Sequence, residues 1–309
     1  MAVGKNIFVP LIVDNIDIAL ADTSLTFKPA SLDASTHTNL NVLAQGTDNA
    51  TSNAAVTSSS LAFETWRTSS PILRRSLLLN LANLLRTRGD EILQIMKEEI
   101  HASDLWANIN LEESILLIQE TAALVTSPSL AGSIFPSTNG EDAKAFVFME
   151  PLGVILGIAP WNSPLILGFR ACLPAIAAGN TVILKGSELS PRTHYFIASL
   201  FREAGFPNGV CNFLLHRGED AVETFNTIIE RYEVRKCNFT GSTGVGRSIA
   251  SKAARELKPC LMELGGQNFA VVLEDADVEQ AAKLVCEGAF LNVCLLPCVP
   301  EVSTLAKLS

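Results

Sequence analysis

The chain has 309 residues, 48% hydrophobic and only 18% charged, against roughly 25% charged in an average soluble domain, which excludes disorder throughout. Its 23 basic and 32 acidic residues leave a net charge of −9 with no Lys or Arg cluster, so a nucleic-acid partner finds no electrostatic footprint. Seven cysteines, an odd number without a C-x-x-C pair, and four scattered histidines point to buried small hydrophobes, not to a disulfide framework or a metal site.

Residues 1–10 show no basic and apolar leader, and no window reaches about 18 unbroken apolar residues, so a soluble cytoplasmic protein without a membrane partner is expected. Residues 7–20 are apolar with interspersed Asp and Asn, and 46–60 form a Thr, Ser, Asn and Ala tract that reads as a flexible connector or a weak helix. Between 60 and 120, Leu61, Trp66, Ile72, Leu73, Leu77, Leu81, Leu84, Leu85, Ile92, Ile95 and Met96 recur at helical spacing, which predicts two or three amphipathic helices. Arg67, Arg74, Arg75, Arg86 and Arg88 are expected on their solvated face. A turn-rich stretch at 127–140 leads into a strand-like run at 144–149.

From residue 153 strands and helices alternate. Strands are predicted at 154–159, 181–184, 210–215, 236–240, near 261 and at 269–273, with helices at 165–178, 192–204, 221–230 and 246–257. That rhythm predicts an α/β fold, a parallel sheet covered by helices on both faces. Such sheets bind ligands beyond the carboxyl ends of their strands, which directs attention to loops 160–164, 185–191 and 241–246.

Each loop carries chemistry and also a plainer explanation. Gly241-Ser242-Thr243-Gly244-Val245-Gly246 follows a strand and opens a helix, where free amides favour a pyrophosphate; a tight turn with Ser or Thr capping reads equally well. Lys185 and Glu188 have the spacing to bond ribose hydroxyls, or to form a surface ion pair. Asn162, between Pro160 and Pro164, can donate to a developing oxyanion or cap a helix. Glu263, between Met262 and Leu264 and followed by Gly265-Gly266, is expected in apolar surroundings that raise its pKa toward that of a general base, unless it merely stands beside a turn.

In this order and at these separations the four segments resemble the aldehyde dehydrogenase superfamily across roughly residues 60–292. The stretches from Pro151 through Pro160-Trp161-Asn162, and from Asn238-Phe239-Thr240-Gly241-Ser242-Thr243 to Lys258-Pro259, are most similar to its salicylaldehyde and vanillin dehydrogenase branch. The resemblance implies an N-terminal segment with helices of the cofactor domain (1–130), an oligomerisation-arm-like segment (131–152), a Rossmann-like NAD-binding domain (153–265), a stub of the catalytic domain (266–292) and a divergent tail (293–309). It also implies NAD as cofactor, an aldehyde, plausibly aromatic, as substrate, and a homo-oligomeric full-length form. By position, Ala159 joins the cofactor-binding set and Trp161 lines the nicotinamide side; Asn162 holds the oxyanion; Lys185 and Glu188 bind the adenosine ribose; Gly241, Ser242 and Gly246 take the pyrophosphate; and Glu263 activates the deacylating water.

The resemblance breaks at the nucleophile. The family pattern runs from the Asn at 292 as x-Gly-Gln-x-Cys, which puts the thiol at 297, and this chain has Pro297, with Cys294 and Cys298 nearby. Residues 293–309 share nothing with the family, as a frameshifted or truncated reading would produce, and Gln267 stands where the family commonly has Lys or Asn. The chain as given is therefore expected to be inactive toward aldehydes.

Overall fold

The structure is a computed structural model describing residues 5–30, 40–128, 132–140, 142–266, 270–273 and 275–291. Its strands are β1 (Lys5–Val9), β2 (Leu11–Val13), β3 (Ile16–Ile18), β4 (Thr26–Phe27), β5 (Leu40–Gln45), β6 (Ser133–Pro136), β7 (Lys144–Val147), β8 (Val154–Ile158), β9 (Thr181–Lys185), β10 (Cys211–Leu214), β11 (Val234–Gly241) and β12 (Cys260–Leu264). The helices are α1 (Asn49–Trp66), α2 (Pro71–Thr87), α3 (Gly89–Ile100), α4 (Asp104–Val125), α5 (Pro164–Ala177), α6 (Pro191–Glu203), α7 (Ala221–Ile229), α8 (Thr243–Arg255) and α9 (Val278–Phe290).

Strands buried on both faces carry unbroken apolar runs, and Val154–Ile158 is buried at every position. It sits inside a seven-stranded sheet of order β12-β11-β8-β9-β10-β2-β3, parallel from β12 to β10, with β2 and β3 added antiparallel at one edge. Helices α5 and α6 pack together on one face, α1 and α7 pack together against the sheet, and α8 covers β11 and β12. The predicted α/β sheet covered by helices is thus the observed architecture. A second sheet joins β1, β5 and β4, and β6 and β7 form an exposed hairpin.

The tract at 46–60 resolves in favour of helix: most of it lies in the 18-residue α1. Asp48 starts it by accepting the Thr51 N–H at 2.6 Å, a cap worth about 1 kcal/mol. Its inward face mixes Ala55, Val56 and Trp66 with hydroxyls: Ser59 Oγ donates to the Gly209 carbonyl and accepts from Asn212, while Thr181 Oγ1 donates to the Ser59 carbonyl. Buried hydroxyls that find partners interrupt the apolar stripe.

Three other expectations need correction. The run 270–273 forms no strand, its Val271 and Leu273 being exposed with no partner strand among the described residues; Phe269 lies outside them. The arginines do not share one solvated face: Arg67, Arg75 and Arg86 are exposed, but Arg88 bridges Glu91 at 2.8 Å and Glu203 at 2.6 Å and lies 4.7 Å over the Phe196 ring, and Arg74 is half-buried. Of the cysteines, Cys172, Cys211 and Cys237 are buried as expected, whereas Cys260 is half-buried and Cys286 exposed.

Candidate functional site

In a doubly wound sheet a crevice opens where successive strands leave in opposite directions. Here the chain moves outward from β8 through β9 to β10, then returns to the other side of β8 as β11 and continues to β12. The reversal falls between β8 and β11, so the loops that follow these two strands flank the crevice. They carry Ala159, Trp161 and Asn162 on one side and Gly241, Ser242 and Gly246 on the other.

The register defines which side chains share a face. Leu214, Lys185, Ile158, Phe239 and Met262 are successive partners across five strands, and residues in one such row point the same way. Thr240 and Glu263 form the next row of the β11–β12 pair, so Glu263 projects from the face opposite Lys185.

The loop after β8 is held on two sides. The Ala159 N–H donates to the Lys185 carbonyl at 3.2 Å, and the Trp106 indole N–H from α4 donates to the Asn162 carbonyl at 3.1 Å. Trp161 is half-buried against the core. The residue at the α5 N-cap is Ser163, with Pro164 opening the helix, so Asn162 is not the helix cap that one reading allowed.

The glycines after β11 do three different things. A Cβ at Gly246 would come within 2.5 Å of Leu264, so this position lets α8 lie close on β12; one at Gly241 would meet the Phe239 ring at 2.6 Å; one at Gly244 would meet nothing within 4 Å. Only Gly244 opens space for a ligand. Ser242 caps α8 by accepting the Val245 N–H at 3.4 Å, so the capping explanation holds as well. The remaining first-turn amides and the helix dipole suit an anion, and the residues present therefore fit a dinucleotide pyrophosphate.

Lys185 and Glu188 make no direct ion pair with each other among the described residues. Lys185 ends β9, half-buried, and burial lowers its pKa against the opposing pull of Glu188. Two histidines passed over in the sequence converge on it. His194, on α6, is buried and pushed down to about 3, first by burial and then by the Lys185 charge. Its Nδ1 lies 3.2 Å from the Ser187 N–H and 3.0 Å from the Ser190 carbonyl, and its Nε2 has no partner among the described residues. His216, just past β10, is pushed down to about 4 by the same two causes. His216 was accessible to the rule that ligand groups lie past the carboxyl ends of parallel strands; His194, inside a helix, gave no such signal. Both imidazoles are neutral near pH 7. Beyond Glu188 lies a cavity of about 430 Å³ lined by Thr26, Phe27, Lys28, Leu189 and Arg217, within the size range of small-molecule sites.

Glu263 departs from its expected setting. It is exposed on β12, because strand alternation sends Met262 and Leu264 to the other face, and the apolar neighbours do not enclose it. Gln267 and residues 292–309, including Cys294, Pro297 and Cys298, lie outside the described residues. Among the described residues there is no group of His, Cys, Asp and Glu able to hold a metal, and no helix long and apolar enough to cross a membrane.

Comparison with known proteins matches residues 27–294 to the family model described as Aldehyde dehydrogenase family. The chain is 41% identical over 230 residues to the salicylaldehyde dehydrogenase of Pseudomonas putida, covering 74% of this chain and 47% of that protein. It is 41% identical over 239 residues to the vanillin dehydrogenase of Pseudomonas sp. (strain HR199 / DSM 7063), covering 77% and 49%. The chain thus spans about half the length of the curated relatives it matches. The solved salicylaldehyde dehydrogenase of Pseudomonas putida G7, complexed with salicylaldehyde, superposes with a TM-score of 0.87 at 35% identity over 93% of this chain and 58% of that one. An NAD-dependent aldehyde dehydrogenase from Sinorhizobium meliloti gives 0.85 at 28% identity, covering 93% and 56%.

Proposed function

The chain belongs to the aldehyde dehydrogenase family, and from that membership we propose that its switch-point crevice holds NAD for the oxidation of an aromatic aldehyde to its carboxylic acid. The observation that carries this reading is the reversal of strand order between β8 and β11, flanked by the Trp161-Asn162 loop and the Gly241–Gly246 loop. The salicylaldehyde and vanillin dehydrogenases among its relatives support an aromatic substrate.

In this reading the α8 N-terminus, with Gly241, Ser242 and Gly246 shaping it, takes the pyrophosphate, Lys185 and Glu188 bond the adenosine ribose, and Ala159 and Trp161 line the nicotinamide side. Bound NAD supplies the hydride acceptor. Asn162 donates to the aldehyde oxygen as negative charge gathers there, an interaction worth about 3 kcal/mol when preorganised. Glu263 draws the proton from the water that releases the acid. Exposed apolar residues of the hairpin, among them Ile134, Phe135 and Phe146, support self-association, and five free thiols among the described residues support a reducing, cytoplasmic setting.

The family reaction also needs a cysteine thiolate, which attacks the aldehyde and carries the acyl group. At the position the resemblance assigns to it stands Pro297. The 309 residues therefore supply groups for NAD and for the oxyanion but no thiol at that position, and we expect NAD binding without aldehyde oxidation. Pro297 also favours a second reading, a non-catalytic nucleotide-binding or interaction member of the family. Calorimetry with NAD, joined to an NADH assay with salicylaldehyde and vanillin, tests both: binding without turnover is expected, and aldehyde-dependent NADH formation abolished by Cys298→Ala would overturn the inactivity and make Cys298 the nucleophile. Resequencing the transcript past codon 292 separates the two readings, since an open frame encoding Gly-Gln-x-Cys restores the enzyme.

A further inference from the structure

Midway along β11 and at the start of β12, two cysteines face each other across the outermost strand pair. Cys237 on β11 and Cys260 on the edge strand β12 are direct partners in a parallel ladder. Neighbouring strands lie about 4.8 Å apart, inside the Cα separation that a disulfide spans, and partners in one row project to the same face. The Cys260 S–H reaches the Lys258 carbonyl at 4.0 Å. They differ in access, Cys237 being fully buried and Cys260 half-buried.

We propose that Cys237 and Cys260 form a peroxide-responsive dithiol, in which Cys260 is oxidised first and Cys237 resolves it to an intramolecular disulfide that staples β12 to β11. Cys260 has the attributes of the attacking thiol: solvent reaches it, and the Cys237 thiol beside it, with the positive charge of Lys236, draws its pKa down to about 7 against the opposing effect of burial. In the first step the Cys260 thiolate attacks a peroxide oxygen. An S–O bond forms, the O–O bond breaks, and the departing hydroxide takes a proton to become water, leaving a sulfenic acid. In the second step the Cys237 sulfur attacks the Cys260 sulfur, the S–S bond forms, the S–O bond breaks, and the oxygen leaves as water with the Cys237 proton. Two thiols lose two electrons and one hydrogen peroxide becomes two waters.

A built-in control lies elsewhere in the sheet. Cys172 on α5 and Cys211 on β10 also neighbour each other, but both are buried. The two pairs differ in access and in the neighbouring charge, and only Cys237 and Cys260 are partners in a strand ladder.

The test is peroxide titration of the full chain, followed by alkylation of remaining thiols, proteolysis and mass spectrometry. The expected result is a Cys237–Cys260 bridge that dithiothreitol reverses, with Cys172 and Cys211 alkylated only after unfolding. In Cys237→Ser the expected product is a dimedone-reactive sulfenic acid on Cys260, and in Cys260→Ser oxidation of Cys237 is lost. The proposal is overturned if Cys237 and Cys260 remain thiols while exposed Cys286 oxidises, or if Cys260 bridges to a different cysteine.

Discussion

The indole N–H of Trp106 donates to the main-chain carbonyl of Asn162 at 3.1 Å, so a buried side chain of α4 fixes the loop that leaves β8. Trp106→Phe keeps most of the packing and removes this one bond, and is expected to cost about 1 kcal/mol of unfolding free energy. Trp106→Ala also opens a cavity and should cost about 3 kcal/mol or more. Equilibrium denaturation reads both, and a Phe variant as stable as the parent would show that the bond contributes nothing.

Acid and neutral stability turn on three buried groups. Glu99 of α3 is fully buried and caps α6, accepting the Arg192 N–H at 2.7 Å, the Thr193 N–H at 3.0 Å and the Thr193 hydroxyl at 2.7 Å. Burial outweighs these bonds and raises its carboxyl to about 7. A carboxyl raised on folding contributes stability that is complete below its ordinary value near 4.5 and is lost as pH rises through 7. His194 and His216, depressed to about 3 and about 4, act oppositely: their contribution is complete above their ordinary value near 6.5 and is lost as pH falls toward those values. Between pH 6.5 and 4.5 two imidazoles outweigh one carboxyl, so the protein loses stability on acidification. Glu99→Gln, which removes the opposing gain, should steepen that loss. Denaturation midpoints across this range test it, and an unchanged slope in the variant would contradict the role of Glu99.

In the proposed reading cofactor choice rests on Glu188. Its carboxylate would meet a ribose 2′-hydroxyl as an acceptor and a 2′-phosphate as a like charge, so NAD should bind more tightly than NADP and Glu188→Gln should narrow the difference. Tighter NADP binding to the parent, by calorimetry, would contradict this and direct attention to Lys28 and Arg217, the cations of the cavity beside Glu188.

Much of this architecture is legible in the sequence, for a definable reason. Strands such as Val154–Ile158 are buried on both faces and announce themselves as apolar runs, and the alternation of strands and helices then points to a parallel sheet. What stayed hidden depends on contacts that hydrophobic periodicity does not register. Helix α1 turns Ser52 inward to the Thr47 hydroxyl and Ser59 inward to the Gly209 carbonyl and Asn212, so its buried face reads as partly polar. The three residues of β2 are too few to show a period, although all are buried. At Glu263 the neighbours in sequence are not neighbours in space, since on a strand they occupy the opposite face. His194 and His216 are 22 residues apart in the chain and become one corner only when β9, β10 and α6 assemble around Lys185.

The central claim is that the crevice between β8 and β11 binds a dinucleotide pyrophosphate at the start of α8, and Gly244→Asp tests it most directly. A Cβ at Gly244 meets nothing within 4 Å, and an acidic residue in the first turn of a helix is favourable by about 0.5 kcal/mol, so the variant should fold and melt like the parent. The same carboxylate would repel a pyrophosphate at the helix N-terminus. Calorimetry with NAD on both proteins is predicted to show binding to the parent and at least a tenfold loss, about 1.4 kcal/mol, in the variant. Equal affinity in the two proteins, with equal melting temperatures, would place the cofactor elsewhere and contradict the account.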